Sequence, residues 1–334
     1  MILRNIDFGP CLDAAGTRGF FGRGYPAHRI PVLGPWLWNF TGSTFVAKTT
    51  TTPIQYGNMP LRGSEYDFEP EGWFPQCIWS DMQDQIALNA VGLSGPGAYQ
   101  LMAQQKWQKH KEPFMVSWAP VGPEKEWEAQ ARKFAYNWDI YMSGQKLQVG
   151  LQVNISCPNT GTDLARLVQQ THVLLDILRK LCIPLVVKLN LLVDPARAVE
   201  ISEHPACDAL CVSNTIPFGE LPNEIDWDQF FPIGSPLVRR NPAFGNGGLS
   251  GKPLLPLVIE WLRHAFDAGL KKPVNAGGGI LEANDVDFLV ENASLRPGID
   301  SIFIGSIAIL NPLGIRSTIR RAHKLLGSQK PAST

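Results

Sequence analysis

The sequence predicts an α/β protein of the (β/α)8 TIM-barrel class, and three observations support this prediction. Eight short runs are predicted as strands, and most of those from residue 110 onward are almost continuously apolar, which is typical of parallel strands covered on both faces. From about residue 110 onward, amphipathic helical stretches separate these runs, as in successive βαβ units. No Gly-x-Gly-x-x-Gly turn, the signature of an open dinucleotide-binding sheet, follows an early strand. A closed barrel is therefore favoured over an open doubly wound sheet.

Predicted strands and helices alternate along the chain in the order that such a barrel requires. The eight strands are predicted at Pro10–Ala15, Phe45–Thr50, Pro113–Ala119, Gly150–Ser156, Pro184–Asn190, Ala209–Asn214, Pro273–Gly277 and Ser301–Gly305. Amphipathic helices are predicted at Trp127–Tyr141, Leu164–Leu181, Ala196–His204, Leu254–Gly269 and Asn284–Glu291. We expect residues 1–326 to form one barrel domain, followed by a flexible tail at 327–334.

Two regions fit the barrel pattern less well. Pro26, Pro31 and Pro35 interrupt the stretch where the first barrel helix should lie. Residues 53–85 form a long segment rich in Pro, Gly, aromatic and acidic residues. Because loops of this length are usually functional, we expect this segment to be a loop or a small subdomain over the C-terminal face of the strands.

Composition argues against several classes of function: nucleic-acid binding, membrane insertion and metal or iron–sulfur chemistry. Thirty basic residues balance thirty acidic ones, so no basic surface for nucleic acid is indicated. No apolar run approaches the roughly 20 residues of a membrane span, and Asp7 interrupts the N-terminus before a signal peptide could form. Six scattered cysteines without a Cys-x-x-Cys pair argue against a metal or iron–sulfur site and against a disulfide scaffold. A cytoplasmic protein is expected.

The fourth predicted strand ends in the most informative segment, Val153–Thr160, which holds a thiol between two carboxamides. In barrels the reactive groups lie where strands end. Asn154 and Asn159 offer donors and acceptors that suit a planar ligand with amide-like edges. Cys157 could accept a proton if its surroundings lower its pKa towards neutrality. The alternative is a small buried thiol flanked by two turn asparagines.

Other strand ends carry groups that favour a ligand site. Lys188 is the one charged residue in the apolar run Val186–Asn190, so it must either be paired or face a ligand with negative charge. Lys48 ends the second strand and is followed by four threonines. Asn214 ends the sixth strand, where an ordinary turn asparagine would be an equal explanation.

Glycine-rich strand ends predict a phosphate site. The seventh strand ends in Ala276–Ile280, which contains three consecutive glycines, and the eighth ends in Gly305 and Ser306. Barrels often bind phosphate through backbone N–H groups of these two loops. The motif Gly247–Gly251, which precedes a helical run, could add to the same cradle.

On the motifs Asn154–Thr160, Gly247–Gly251 and Ala276–Ile280, the sequence resembles the dihydroorotate dehydrogenase family from about Pro10 to Leu310. The resemblance implies an FMN-binding (β/α)8 barrel that oxidises dihydroorotate to orotate. In this family a base removes the C5 proton and a hydride passes from C6 to flavin N5. Cys157 matches that base in class 1 enzymes, whereas class 2 enzymes, which are membrane-associated, have serine there.

The resemblance also assigns roles to individual residues. Lys48 matches a catalytic lysine that contacts both flavin and substrate, and Lys188 matches the lysine near flavin N1 and O2. The substrate-binding residues would be Asn89, Val91, Gly92, Leu93, Asn154, Asn159, Asn214 and Thr215. The FMN-binding residues would be Ala14, Ala15, Gly16, Lys48, Asn154, Lys188, Ser213, Gly248, Gly278, Gly279, Gly305 and Ser306. No metal site is implied.

The expected function is therefore that of a class 1 dihydroorotate dehydrogenase in pyrimidine biosynthesis, acting as a homodimer. Its electron acceptor would be fumarate or a similar oxidant, or a separate electron-transfer subunit. Residues 160–163 lack the longer Gly- and Pro-containing stretch of the family's catalytic loop, which indicates a divergent member. Two alternatives stay open: oxidation or reduction of another dihydropyrimidine, such as dihydrouracil, or of an enone; and a flavin-binding subunit without turnover.

Overall fold

The computed structural model describes residues 1–155 and 164–327. Its strands are β1 (Ile2–Leu3), β2 (Ile6–Asp7), β3 (Cys11–Asp13), β4 (Phe45–Val46), β5 (Thr50–Thr51), β6 (Ile78–Asp81), β7 (Ile86–Asn89), β8 (Phe114–Ala119), β9 (Val149–Asn154), β10 (Leu185–Leu189), β11 (Ala209–Val212), β12 (Ile216–Pro217), β13 (Gly248–Gly251), β14 (Val274–Ala276) and β15 (Ser301–Ile304). Its α-helices are α1 (Leu33–Leu37), α2 (Ala98–Ala103), α3 (Trp127–Met142), α4 (Leu164–Leu178), α5 (Pro195–Ser202), α6 (Trp227–Phe230), α7 (Pro236–Arg240), α8 (Leu254–Asp267), α9 (Ala283–Asn292), α10 (Ile307–Leu310) and α11 (Ile315–Leu326).

The central sheet is a parallel barrel. Its strands follow the order β3-β15-β14-β11-β10-β9-β8-β4, and β5 continues beside β8. A parallel bridge between Leu12 and Thr44 closes the ring, with the Asp13 backbone N–H 2.9 Å from the Thr44 carbonyl oxygen. All eight predicted barrel strands are confirmed, the second being divided into β4 and β5. The predicted (β/α)8 class is therefore confirmed as well.

An outer ring of helices covers the barrel. Contacts join α3 to α4, α4 to α5, α5 to α8, α8 to α9 and α9 to α11. The five predicted helices are confirmed, but the prediction omitted α11, which follows the eighth strand. In the first crossover, the short 3₁₀ helix Pro26–Arg29 and the five-residue α1 stand where a long helix would be, as the prolines predict. In the described ranges, no helix is long and apolar enough to cross a membrane.

A second, antiparallel sheet was not predicted. Its strand order is β12-β13-β7-β6, and β13 pairs with β7 so that Gly248 lies opposite Asn89. The motif Gly247–Gly251, expected as a glycine-rich turn before a helix, therefore lies largely in a strand. The end of the long segment 53–85 also belongs to this sheet, because it contains β6 and the turn to β7.

Ion pairs hold the remainder of that segment to the rest of the chain. The buried carboxylate of Asp67 pairs with Arg23, at 2.8 Å, and with Lys106. The buried carboxylate of Glu69 pairs with Arg29 and, at 3.4 Å, with Arg62. Paired carboxylates of this kind can be buried because cations compensate their charge. The segment is thus tied both to the stretch that precedes α1 and to Lys106, which follows α2.

Candidate functional site

Most of the predicted site residues that the structure describes lie at the C-terminal ends of barrel strands, and the others lie in or beside the second sheet. They are placed as follows: Ala14, Ala15 and Gly16 after β3; Lys48 between β4 and β5; Asn154 at the end of β9; Lys188 within β10; Ser213, Asn214 and Thr215 after β11; Gly278 and Gly279 after β14; Gly305 and Ser306 after β15; Asn89 at the end of β7, followed by Val91, Gly92 and Leu93; and Gly248 at the start of β13. Cys157 and Asn159 lie outside the described residues.

A chain of hydrogen bonds joins amide and hydroxyl groups from neighbouring strands. The hydroxyls of Thr49 and Ser117 lie 2.9 Å apart. Asn154 Nδ2 donates to Thr49 Oγ1 at 3.5 Å, and Asn214 Nδ2 approaches Asn154 Oδ1 at 3.4 Å. These contacts orient the two predicted amides relative to each other. Thr49 and Ser117 were not predicted, although the threonine run after Lys48 was a visible signal.

A second amide positions Thr215. Asn190 is buried, and its Nδ2 donates to the Thr215 carbonyl oxygen at 2.7 Å. The Thr215 backbone N–H donates to Asn214 Oδ1 at 3.0 Å. Thr215 is thereby held through both its backbone N–H and its carbonyl oxygen. Asn190 is a site residue that the sequence analysis missed, and its place at the end of the fifth strand could have indicated it.

Lys48 is a buried cation at the mouth of the barrel. Its Nζ donates to the Ser94 carbonyl oxygen and lies 4.9 Å from the centroid of the Phe20 ring. Burial lowers the pKa of Lys48 to about 8, and the nearby Cys77 opposes that shift. Ser94 Oγ donates to the Val91 carbonyl oxygen at 2.9 Å, so Ser94 connects Lys48 to the predicted substrate turn. The sequence analysis missed both Ser94 and Phe20.

Lys188 is a second buried cation, deeper in the barrel. Its register partners on the adjacent strands are Asn154 and Cys211, and its Nζ lies 5.4 Å from the centroid of the Phe303 ring. Burial lowers the pKa of Lys188. In the part of the chain that the structure describes, no carboxylate pairs with Lys48 or with Lys188. A ligand carrying negative charge would therefore compensate the positive charges of Lys48 and Lys188.

Backbone donors converge at the ends of β14 and β15. Within the described residues, the backbone N–H groups of Gly278, Gly279, Gly305 and Ser306 donate no hydrogen bond to another protein atom. A Cβ on Gly305 would lie only 2.7 Å from the Cβ of Ala14, so a larger residue would collide with the Ala14 side chain. Four available N–H donors on adjacent strand ends form an arrangement suited to an anion such as phosphate.

The second sheet packs against the residues that follow β11. A Cβ on Gly248 would lie 2.5 Å from Thr215 Oγ1, so only glycine allows this close approach. Gly248 is also the register partner of Asn89. Through these contacts the sheet brings the predicted substrate turn to the same end of the barrel as Asn214 and Thr215.

Comparison with known proteins agrees with this geometry. The family model described as dihydroorotate dehydrogenase matches residues 75–295. The chain belongs to the dihydroorotate dehydrogenase family. It is accordingly an oxidoreductase acting on a CH–CH group.

Relatives in this family align along most of the chain. One is the dihydroorotate dehydrogenase A (fumarate) of Lactobacillus helveticus, 26% identical over 296 residues that cover 85% of this chain and 81% of the relative. Another is the catalytic subunit of dihydroorotate dehydrogenase B (NAD(+)) of Bacillus cytotoxicus, 26% identical over 328 residues that cover 95% and 88%. The corresponding catalytic subunit of Desulforudis audaxviator is 26% identical over 91% of this chain and 84% of its own. At this identity the chain is a divergent member of the family.

Proposed function

We propose that this protein is a class 1 dihydroorotate dehydrogenase that binds FMN and oxidises (S)-dihydroorotate to orotate. The observation that carries the proposal is the meeting of two buried lysines, two hydrogen-bonded asparagines and a set of available backbone N–H donors at one end of the barrel. The cations suit an electron-rich ring system, the amides suit a pyrimidine, and the N–H donors suit a phosphate.

The residues present fit FMN. Gly278, Gly279, Gly305 and Ser306 would hold the phosphate with their N–H groups, because these donors have no acceptor among the described protein atoms. Gly248, Ser213 and the turn Ala14–Gly16 would complete the cofactor site, and Lys188 would place its ammonium beside the pyrimidine end of the ring. When bound, FMN would accept at N5 the hydride that leaves substrate C6.

The substrate would lie between the amides and Lys48. The side chains of Asn89, Asn154 and Asn214 present both donors and acceptors, which complement the amide edges of dihydroorotate. Lys48 would donate to an oxygen of the substrate from its position beside Ser94. With a pKa of about 8, most Lys48 side chains are protonated at neutral pH, as a donor to an anion requires.

Cys157 would act as the base that removes the C5 proton. It stands three positions after the last residue of β9 in the sequence, and the reactive groups of such barrels lie where strands end. A thiolate can take the proton when nearby positive charge lowers the thiol pKa, and Lys48 and Lys188 are the buried cations of this site. Asn159, two positions further along the sequence, would add an amide for the substrate.

The experiment is anaerobic addition of dihydroorotate to the FMN-loaded protein, with the visible absorbance of the flavin recorded in a stopped-flow instrument. Rapid bleaching would support both cofactor and substrate. Dihydrouracil, which lacks the carboxylate, serves as the matched control substrate. Equal bleaching by dihydrouracil, or bleaching by neither compound, would contradict the dihydroorotate assignment, and a chain that cannot be loaded with FMN would contradict the cofactor.

The oxidant is then identified by restoring the flavin colour. Fumarate appears in the name of one relative, and NAD(+) in the names of two others that are catalytic subunits. We propose a small acceptor such as fumarate or a separate electron-transfer subunit for this chain. Recovery of absorbance on adding fumarate to the bleached protein supports the first. Recovery that requires a partner protein together with NAD(+) supports the second.

We further propose that residues 1–326 form one domain and that the protein is a homodimer. Sedimentation equilibrium measures the mass of the assembly, and a monomer across the accessible concentration range would contradict the dimer. Limited proteolysis tests the domain. Cleavage that releases two stable fragments from the barrel would contradict a single domain.

A further inference from the structure

Inside the barrel, a diagonal row of polar side chains leads from the floor to the candidate site. The row consists of Ser301, Asn275, Cys211, Lys188 and Asn154, which are successive register partners on β15, β14, β11, β10 and β9. We call this set the polar row. Because strands in a closed barrel are staggered, partners on neighbouring strands climb along the barrel axis. Asn154 at the upper end is also a member of the candidate site.

Hydrogen bonds connect the lower part of the polar row. Ser301 Oγ donates to Asn275 Oδ1 at 3.0 Å, and Asn275 Nδ2 donates to Cys211 Sγ at 3.7 Å. Gln152 on β9 also reaches this sulfur, with Nε2 at 3.5 Å. Cys211 therefore accepts from two amides and lies directly beside Lys188.

These residues depart from the usual filling of such a barrel, which consists of bulky branched apolar side chains. Ser301 and Asn275 have no exposed surface, and Gln152 and Cys211 have 1% each. Gln152 Oε1 is buried without a hydrogen-bond partner. Buried polar groups destabilise a core unless they are well paired. The position of these polar side chains below Lys188 therefore indicates a role other than packing.

We propose that Cys211, held by Asn275 and Gln152, is a positioning residue for the Lys188 ammonium and thereby raises the reduction potential of the bound flavin. The inference rests on the proposed function, which places FMN beside Lys188. Adjacent strands are about 4.8 Å apart, so the polarisable sulfur is the neighbour of the lysine on β11. An apolar group there would weaken the solvation of the ammonium. Reduction adds negative charge to the flavin, so a well-held cation favours the reduced form.

The test measures the midpoint potential of bound FMN by photoreduction against a reference dye, without any dihydroorotate. Cys211→Val removes the sulfur at similar side-chain volume. The equilibrium constant for two-electron reduction of the flavin should fall about tenfold, which lowers the midpoint potential by about 30 mV. Cys211→Ser keeps a polar atom and should stay within about threefold of the parent protein. Cys207→Val is the matched control, because Cys207 is a buried cysteine of the outer core; it should leave the potential unchanged.

Two further variants test the inference by routes other than Cys211→Val alone. Gln152→Leu removes one amide from the sulfur and should shift the potential in the same direction, even if Cys211→Val does not fold. In a Lys188→Met background, Cys211→Val should have no further effect, because its action passes through the lysine. An unchanged potential in FMN-loaded Cys211→Val and Gln152→Leu, or an equal shift without Lys188, would overturn this inference alone. Failure of the chain to bind FMN would overturn the proposed function together with it.

Discussion

Lys48→Met should make the folded chain more stable at neutral pH. Burial lowers the Lys48 pKa from 10.5 to about 8. One pH unit of difference between the folded and unfolded pKa corresponds to about 1.4 kcal/mol. Charged Lys48 therefore lowers the free energy of unfolding by about 3 kcal/mol. Methionine has a similar length and no charge, so it removes this penalty. It also leaves the Ser94 carbonyl oxygen without its donor, which costs about 1 kcal/mol at every pH.

The pH dependence distinguishes this reasoning from a simple packing effect. Below pH 8 the lysine is protonated in both states and the penalty is complete. Between pH 8 and 10.5 only the unfolded chain keeps the proton, so the stability of the parent protein rises with pH and the advantage of Lys48→Met shrinks. Urea unfolding of both proteins from pH 7 to pH 10, with exposed Lys125→Met as control, measures this difference. A difference that stays constant over that range would refute the argument.

Three other changes test separate parts of the structure. Arg296→Ala removes the partner of fully buried Asp300, whose carboxylate accepts two Arg296 side-chain hydrogen bonds at 2.8 Å, so the free energy of unfolding in urea should fall by about 3 kcal/mol. Arg132→Ala, which breaks the exposed Glu128–Arg132 pair, should lower it by less than about 1 kcal/mol, and equal losses would be inconsistent with this account. Gly305→Ala should weaken FMN binding at least about tenfold by calorimetry, since its Cβ would meet Ala14, whereas Gly72→Ala, with no atom nearer than 3.9 Å, should not. Cys157→Ala should keep FMN but slow its reduction by dihydroorotate by about 100-fold or more at neutral pH, and an unchanged rate would remove Cys157 from the mechanism.

The barrel could be predicted because its strands are local apolar runs covered on both faces. The same kind of reasoning could have found α11, since Ile315, Ile319, Ala322 and Leu326 recur at helical spacing on its buried face. The second sheet is different. β12 has two residues, β13 contains two glycines, and β13 pairs with β7 from a distant part of the chain. Short strands with non-local partners leave no periodic signal in the sequence.

The site was predictable to the extent that it follows from one rule, the convergence of strand ends in a barrel. That rule brought Lys48, Asn154 and Asn214 together before any contact was known. It also covers Asn190, which ends the fifth predicted strand and was overlooked. It could not supply Ser94, whose role depends on the folded chain placing its carbonyl oxygen beside Lys48. The polar row was likewise hidden, since single polar residues in apolar strands align only when the stagger of the barrel is known.

Stability and ligand binding are divided between the two ends of this barrel. The outer core between strands and helices is apolar, and the barrel floor is closed by Met1, Leu3 and Phe8. At the other end lie two buried lysines without a described carboxylate partner, together with N–H donors that have no acceptor among the described protein atoms. The buried ammonium groups, without a described compensating carboxylate, destabilise the chain by itself. A bound anion that pairs with them removes that penalty in the complex, so the features that weaken the unliganded end of the barrel are the ones that would favour the proposed FMN there.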